Sequence, residues 1–404
     1  MKRIYLITLL INSLLELLIS DINAQNIWIQ KTNFGGIERG GAVGFCIGTK
    51  GYIGMGYGAS ILRNDFWEYD QGNNTWTQKA NFGGIARYGA TCFAIGTKGY
   101  IGTGEAGNLS TYYNDFWEYD PISNTWAQKA NFGGIARYEA IGFAIGSKGY
   151  IGTGFGSNYY NDFWEYDQVS NTWTQKANFG GSARIGATGF NIGPKGYIGT
   201  GYYQNLGYTF YFDFWEYDQG TNSWTQKANF GGTARGLATG FSIGAKGYIG
   251  TGWDSSNTYN NDFWEYDPSL NTWTRKADFG GGYRTEAVGF SIGNKGYIGT
   301  GIDTISSKTD FWEYTPDSTN GIEELNNAGI SIYPNPLTSS SILQLNTQVN
   351  NADVVIYDMV GKELMRKKLT GSRMEIVKGS LQSGVYFVKV TAEDKQFVQK
   401  MVVE

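Results

Sequence analysis

Short apolar stretches of five to seven residues, each closed by glycine, recur along most of this chain, and none shows a helical apolar period. The stretch Lys246 to Gly296 states the pattern once in full. It runs KGYIGTG (246-252), a variable loop, NDFWEYDPSLNTWTRKADFGG (261-281), then Arg284 and the small-residue run AVGFSIG (287-293). Each cassette predicts four strands: AVGFSIG, GYIGTG, the aromatic DFWEY, and TWTQKA. The first two are joined by a four-residue turn. In one copy this is Gly193-Pro194-Lys195-Gly196, where proline second and glycine fourth predict a type I turn.

The cassette lysines Lys50, Lys98, Lys148, Lys195, Lys246 and Lys295 lie 47 to 51 residues apart. A fixed period of that size marks a repeat architecture. One four-stranded sheet cannot bury both of its faces, whereas sheets stacked radially cover one another, as in a β-propeller. Glycine and alanine in the first strand, such as Ala187 and Gly189, suit the crowded positions near an axis. Strand-three tryptophans (Trp67, Trp117, Trp164, Trp215, Trp264, Trp312) and strand-four tryptophans (Trp28, Trp76, Trp126, Trp173, Trp224, Trp273) both number six, but out of phase. The chain opens with a fourth strand at Trp28 and ends its repeats on a third strand at Trp312. The fold class expected is therefore all-β: a six-bladed propeller over 25-316, with its last blade completed by the segment near 26-34. Such closure removes an open sheet edge.

These cassettes resemble the kelch repeat. The resemblance rests on YDPxxNTW (Tyr119 to Trp126, Tyr266 to Trp273), the arginine before strand one and the glycine-rich second strand, over roughly 26-316. The second strand departs from the kelch pattern by ending Gly-Thr-Gly (Gly102, Thr103, Gly104) where a glycine doublet is usual.

Two flanking segments differ from the repeats. Residues 1-24 read as a secretory signal: Lys2 and Arg3, an apolar run from Ile4 to Ile19, and a cleavage site at Ala24-Gln25. Glu16 and the short span weigh against a membrane anchor, so no transmembrane segment is expected in the mature chain. Residues 317-329 read as a polar linker. Beyond it tryptophan vanishes, and seven β-rich stretches (ISIYP, ILQLN, DVVIYD, ELMRKKL, MEIVK, VYFVKVT, FVQKMVV) predict a small seven-stranded β-sandwich over 330-404. This tail resembles the type A C-terminal sorting domain of the type IX secretion system. The matching residues are Tyr333-Pro334-Asn335-Pro336, VVIYDMVGKEL (354-364), LQSGVYFVKV (381-390) and VQKMVV (398-403). The resemblance implies the type IX machinery as a partner, a Gram-negative host, and a secreted or outer-surface location after removal of the tail.

Composition narrows the chemistry. The 404 residues carry a net charge of -4 and no basic stripe, which excludes nucleic acid as the expected partner. There is no histidine, which removes Ser-His-Asp and Cys-His nucleophile activation and any histidine metal site. For the same reason the copper chemistry of galactose oxidase, which carries a kelch-type propeller, does not transfer to this chain. Cys46 and Cys92 share the same strand parity and are expected to be buried free thiols rather than a disulfide or a zinc site. No cofactor, no metal and no catalytic residue is expected.

What remains is a face. Loops after strands two and four open on the same side of a four-strand meander. The strand 2–3 loops are the variable parts, and they carry Tyr112, Tyr113, Tyr159, Tyr160, Tyr202, Tyr203, Trp253 and Tyr259 among Asn and Ser. Aromatic faces beside amides and hydroxyls suit sugars or peptides, or else simply pack over the blade tips. Arg39, Arg87, Arg137, Arg184, Arg235 and Arg284 enter the six inner strands. They form either a ring for an anionic group or ties of neighbouring blades to backbone carbonyls or to the repeated Asp and Glu of DFWEYD. Glu139 and Glu286 break the repeat symmetry and shape an axial pocket. The reading is a surface binding protein for glycan or protein. The alternatives are an acidic-sugar enzyme of the sialic acid mutarotase type, by fold analogy, and a purely structural surface protein.

Overall fold

The computed structural model describes residues 26-108, 110-317, 330-358, 362-392 and 395-404. The expected signal peptide, its Ala24-Gln25 cleavage site and nearly all of the linker lie outside them. The chain divides into two compact units, one ending at Pro316 and one beginning at Asp317. No helix among the described residues is long and apolar enough to cross a membrane.

The first unit is all-β. Among the described residues it contains six four-stranded antiparallel sheets, five of them built from one cassette each. The first sheet is Val43–Ile47, Lys50–Gly54, Phe66–Asp70 and Thr75–Lys79, paired in that order. The sixth takes Val288–Ile292, Lys295–Gly299 and Phe311–Thr315 from the end of the repeats and Ile27–Gln30 from the beginning. Trp28 pairs with Tyr314 and Gln30 with Trp312. The six innermost strands form a closed cycle, since the strand 43-47 packs against both 91-95 and 288-292.

One aromatic relay repeats around this cycle. The phenylalanine that opens each third strand meets the tyrosine and tryptophan of the following sheet edge-on: Phe66 with Tyr119 and Trp126 at 4.9 and 5.0 Å, for example. Phe311 meets Tyr69 and Trp76 of the first sheet at 4.8 and 5.0 Å. Phe263 meets Tyr314 and Trp28, so a residue from the chain's start completes the last link. Each fourth-strand indole also donates to a backbone carbonyl of the preceding sheet, as Trp126 does to Ala80 and Trp28 to Ala277, both at 3.1 Å. Asn26 Oδ1 accepts from the Ala277 N–H and the Tyr314 hydroxyl, the part that Asn74 plays toward Thr32 and Tyr69.

Glycine in the inner strand is imposed by the neighbouring sheet. A Cβ on Gly289 would lie 2.2 Å from the Thr239 methyl. Cys92 stands at this position in the second sheet, and its thiol donates to the Gly44 carbonyl at 3.2 Å. Both cysteines are free, as expected, but half-buried rather than buried, and Cys92 lines the axial channel. Burial pushes the Cys46 and Cys92 thiols up to about 11 and about 12.

Two local expectations are corrected. Ile192 pairs with Lys195, so the hairpin has only Gly193 and Pro194 between its strands. Gly193 has φ +55°, which puts the positive φ at the first central position, as in a type II′ turn, not type I. That turn matches the right-handed twist of the strands it joins. In the second unit the seven expected stretches form five strands in one hydrogen-bonded sheet. ILQLN and DVVIYD are two halves of Ser340–Tyr357, while ELMRKKL and MEIVK are two halves of Glu363–Val377. Between the halves Val349 stays opposite Gly371 and Ala352 opposite Leu369, so the register shifts there instead of the strand breaking. Both halves feed one core that includes Leu343, Ile356, Leu369, Val388 and Met401.

Candidate functional site

The segment after each fourth strand and the loop after each second strand meet on one face of the first unit. Short bridges join them, Gly40 to Tyr57, Tyr138 to Phe155 and Thr285 to Ile302 among others. The variable loops have structure of their own that the sequence did not announce: Tyr57–Gly58 pairs Ile61–Leu62, and Tyr202–Gln204 pairs Tyr208–Phe210.

The six arginines lie beneath this face and are fully buried. Each holds the aspartate that precedes its own third strand in a two-pronged bond; for Arg137 and Asp162 the distances are 2.5 and 2.8 Å. One Nη also donates to the carbonyl closing strand two, here Thr153 at 2.8 Å. Those carbonyls belong to Met55, Thr103, Thr153, Thr200, Thr251 and Thr300, all with φ between 57° and 63°, so the arginine pins a strained residue in place. Burial pushes the Asp65 and Asp262 carboxyls up, but the bonds from Arg39 and Arg235 outweigh it and hold both below the usual range. Phenylalanines cover one face of each guanidinium, and Tyr113, Tyr160 and Tyr211 cover the other face of Arg87, Arg137 and Arg184 at 4.0 to 4.2 Å. Of the two roles open to the arginines from the sequence, the hydrogen bonds are those of ties, but each lies within its own sheet and not between neighbouring sheets as expected, because the aspartate and carbonyl within reach belong to the same cassette. Tyr113 and Tyr160 are their lids.

The other predicted aromatics come together above. Tyr112 stacks on Tyr138 at 5.6 Å, Phe155 meets Tyr159 at 4.8 Å, and Tyr159 meets Tyr203 at 4.4 Å. Tyr88 and Tyr57 extend this row back to the first sheet. A second cluster gathers Tyr202, Tyr208 and Phe210 around Trp253. Tyr259 is half-buried opposite Trp253. Tyr57 in the row is 45% exposed and Tyr208 in the second cluster 48%, so each presents aromatic surface to solvent. Sequence reasoning missed Tyr88, Tyr138 and Phe155. The available signal was the tyrosine directly after Arg87 and Arg137.

At the centre of the same face lies a cavity of about 140 Å³. Glu139 and Glu286 are its only charged lining residues, and the rest is glycine, alanine and Leu237. They precede the third and sixth innermost strands, which are opposite in the cycle. Burial first, then the charges of Glu286 and Glu105, push Glu139 up to about 8; burial pushes Glu286 up to about 7. Both sit at positive φ, 49° and 55°, a conformation costing a residue with a side chain about 1–3 kcal/mol.

The first unit is thus a β-propeller-type assembly with a loop face centred on an acidic cavity. Among solved structures it is similar to the one titled "Structure of YjhT", with a TM-score of 0.62 and 16% identity, covering 72% of this chain and 98% of that one. At that identity the likeness shows the fold alone. Residues 331–404 match the family described as secretion system C-terminal sorting domain. No curated protein matches the chain. The sorting domain implies export through the type IX secretion machinery and a secreted or cell-surface location.

Proposed function

We propose that this protein is a six-bladed, kelch-type propeller delivered to the surface of a Gram-negative cell, where its loop face binds a glycan or a protein. The observation that carries this reading is the row of contacting, partly exposed aromatics from Tyr57 to Tyr203 on a rigid, internally tied scaffold. Aromatic faces stack on the apolar faces of sugar rings, and the neighbouring Asn, Ser and Tyr hydroxyls supply directional bonds. Replacing Tyr159 and Tyr203 together with alanine removes the closest ring pair of the row. On a glycan array the variant is expected to lose at least tenfold in signal while its urea midpoint stays near the parent's. An undiminished signal argues against the row.

The tail serves as a type A sorting domain that is removed after passage. Cleavage at Ala24-Gln25 would leave Asn26 and Trp28 at the very start of the mature chain, ready to complete the sixth blade. Deleting 330-404 is expected to hold the protein in the periplasm, read by fractionation and surface protease. Surface delivery without those residues removes this reading.

A catalytic alternative, the acidic-sugar mutarotase, draws on one observation, the raised carboxyls of Glu139 and Glu286 in the axial cavity. The arginines that would meet a sugar carboxylate are engaged by aspartates instead. The binding reading is therefore the better supported.

A further inference from the structure

Six residues, each two places after a buried arginine, ring the mouth of the axis: Gly41, Gly89, Glu139, Gly186, Leu237 and Glu286. All have φ between 49° and 60°. Their peptides join from sheet to sheet, the N–H of Gly89 donating to Gly41 at 3.0 Å, Glu139 to Gly89 at 2.7 Å, Leu237 to Gly186 at 2.8 Å, Glu286 to Leu237 at 3.2 Å, and Gly41 to Glu286 at 3.3 Å. Glycine is the residue this backbone prefers, and three positions have it. Two of the three exceptions are glutamates on opposite sides.

The cavity wall holds neither lysine nor arginine. The Glu139 Oε2 is shut off from solvent and has no hydrogen-bond partner among the described residues, and the Tyr202 hydroxyl is the polar group near this carboxylate that favours its charged form. A buried carboxylate left short of partners is costly unless something positively charged completes it. Strain at two ring positions, kept where glycine would relieve it, marks a place where the side chain is used.

We propose that the axial mouth binds a protonated primary amine between Glu139 and Glu286. The assignment rests on the loop face being the ligand face, and it names the chemistry at that face's centre. A metal ion fits less well: a hard divalent cation takes six or more oxygens, and no group of three or more acidic, histidine or cysteine side chains gathers among the described residues. Leu237 offers an apolar wall for the carbon stem, and the tyrosines around the mouth favour a cation over their rings.

Proton linkage gives a second signature. Glu105, Glu286, Tyr88, Tyr138, Tyr159 and Tyr202 are the titratable groups around Glu139, and none of them is cationic. With Glu139 near 8 and Glu286 near 7, the empty site holds protons at neutral pH. An ammonium must displace them, so affinity should weaken as pH falls below about 8, by up to about tenfold per pH unit for each proton displaced.

The test is calorimetric titration of the purified protein with glucosamine, n-butylamine, N-acetylglucosamine and calcium at pH 6, 7 and 8. Glucosamine and n-butylamine are expected to bind, more tightly at pH 8 than at pH 6. N-acetylglucosamine, which lacks the charge, should be at least tenfold weaker than glucosamine. Glu139→Gly with Glu286→Gly restores the residue other sheets carry, so its thermal midpoint should hold or rise while amine binding disappears. Equal affinity for the two sugars overturns the amine assignment and leaves the aromatic row standing. Absence of amine binding at every pH, retention of calcium in place of amines, or wild-type amine binding by the double glycine variant also overturns it. Loss of sugar affinity in Tyr159→Ala with Tyr203→Ala, with the amine preference kept, supports both readings separately.

Discussion

Asp262→Ala is expected to lower the unfolding free energy by about 3–5 kcal/mol, because it strands a buried charge. Arg235 is fully buried, and its Nη atoms meet Asp262 at 2.5 and 3.0 Å. The same carboxylate accepts from the Trp264 indole at 2.7 Å, so one substitution removes three bonds. Thr251 and Thr233 supply the guanidinium's other oxygens, all neutral, and the Asp254 carboxylate is linked to it through Thr233 Oγ1, which donates to Asp254 at 3.3 Å. The urea midpoint of the variant measures the loss. A shift below about 1 kcal/mol would mean that the arginine finds water or rearranges, and the tie would lose its structural meaning. The pH dependence has a definite sign. Asp262 is held below the usual aspartate range, so its contribution is present above the unfolded value and is lost as pH falls through the folded one. Unfolding in acid should therefore come earlier in the wild type than neutral stability alone implies, and the variant should show a shallower acid limb.

Removing residues 26-31 should have an effect at least as large. Trp28 packs on Phe263, Phe279 and Tyr314, each at 5.0 Å. Truncating such a residue to alanine costs about 3–5 kcal/mol by itself. The deletion also takes away the backbone ladder to Phe311–Thr315 and the Lys31 N–H bond to the Phe311 carbonyl at 2.8 Å. The third strand of the sixth sheet then becomes an open edge beside uncovered aromatic surface, an invitation to pair with other chains. Light scattering should show concentration-dependent association, and Trp28→Ala alone should show the stability loss without it. A monomeric, equally stable deletion variant would mean that the ring does not depend on its closing strand.

Much of this architecture was legible in the linear code. The lysine period, the two tryptophan series out of phase, and the lone Trp28 at the start all follow from repetition, which a sequence displays directly. Strand identity was also readable, since glycine and β-branched or aromatic residues mark the ends and middles of short strands. The turn at Gly193-Pro194 was misread because the residue types allow two registers, and only the neighbouring strand chooses between them. The tail's seven stretches became five strands for a related reason. Polar residues such as Thr347 and Asn350 look like turns in sequence, yet they fall at register shifts inside one long strand, which resumes pairing at Val349 and Ala352.

The functional face divides in the same way. The sequence alone determined that six arginines and a set of variable tyrosines lie at equivalent places in the repeat, because identity and spacing are one-dimensional properties. Only the tertiary structure decided which partners those groups have. It turned every guanidinium onto an aspartate some 25 to 29 residues away, put Tyr113 and Tyr160 over the arginines as lids, and joined Tyr112, Tyr138, Phe155, Tyr159 and Tyr203 across sheet boundaries. It also set Glu139 and Glu286 opposite one another at the axis. Burial, charge pairing and proton affinity depend on distances in space, and segments separated by one or three repeats acquire those distances only when the sheets close around a common centre.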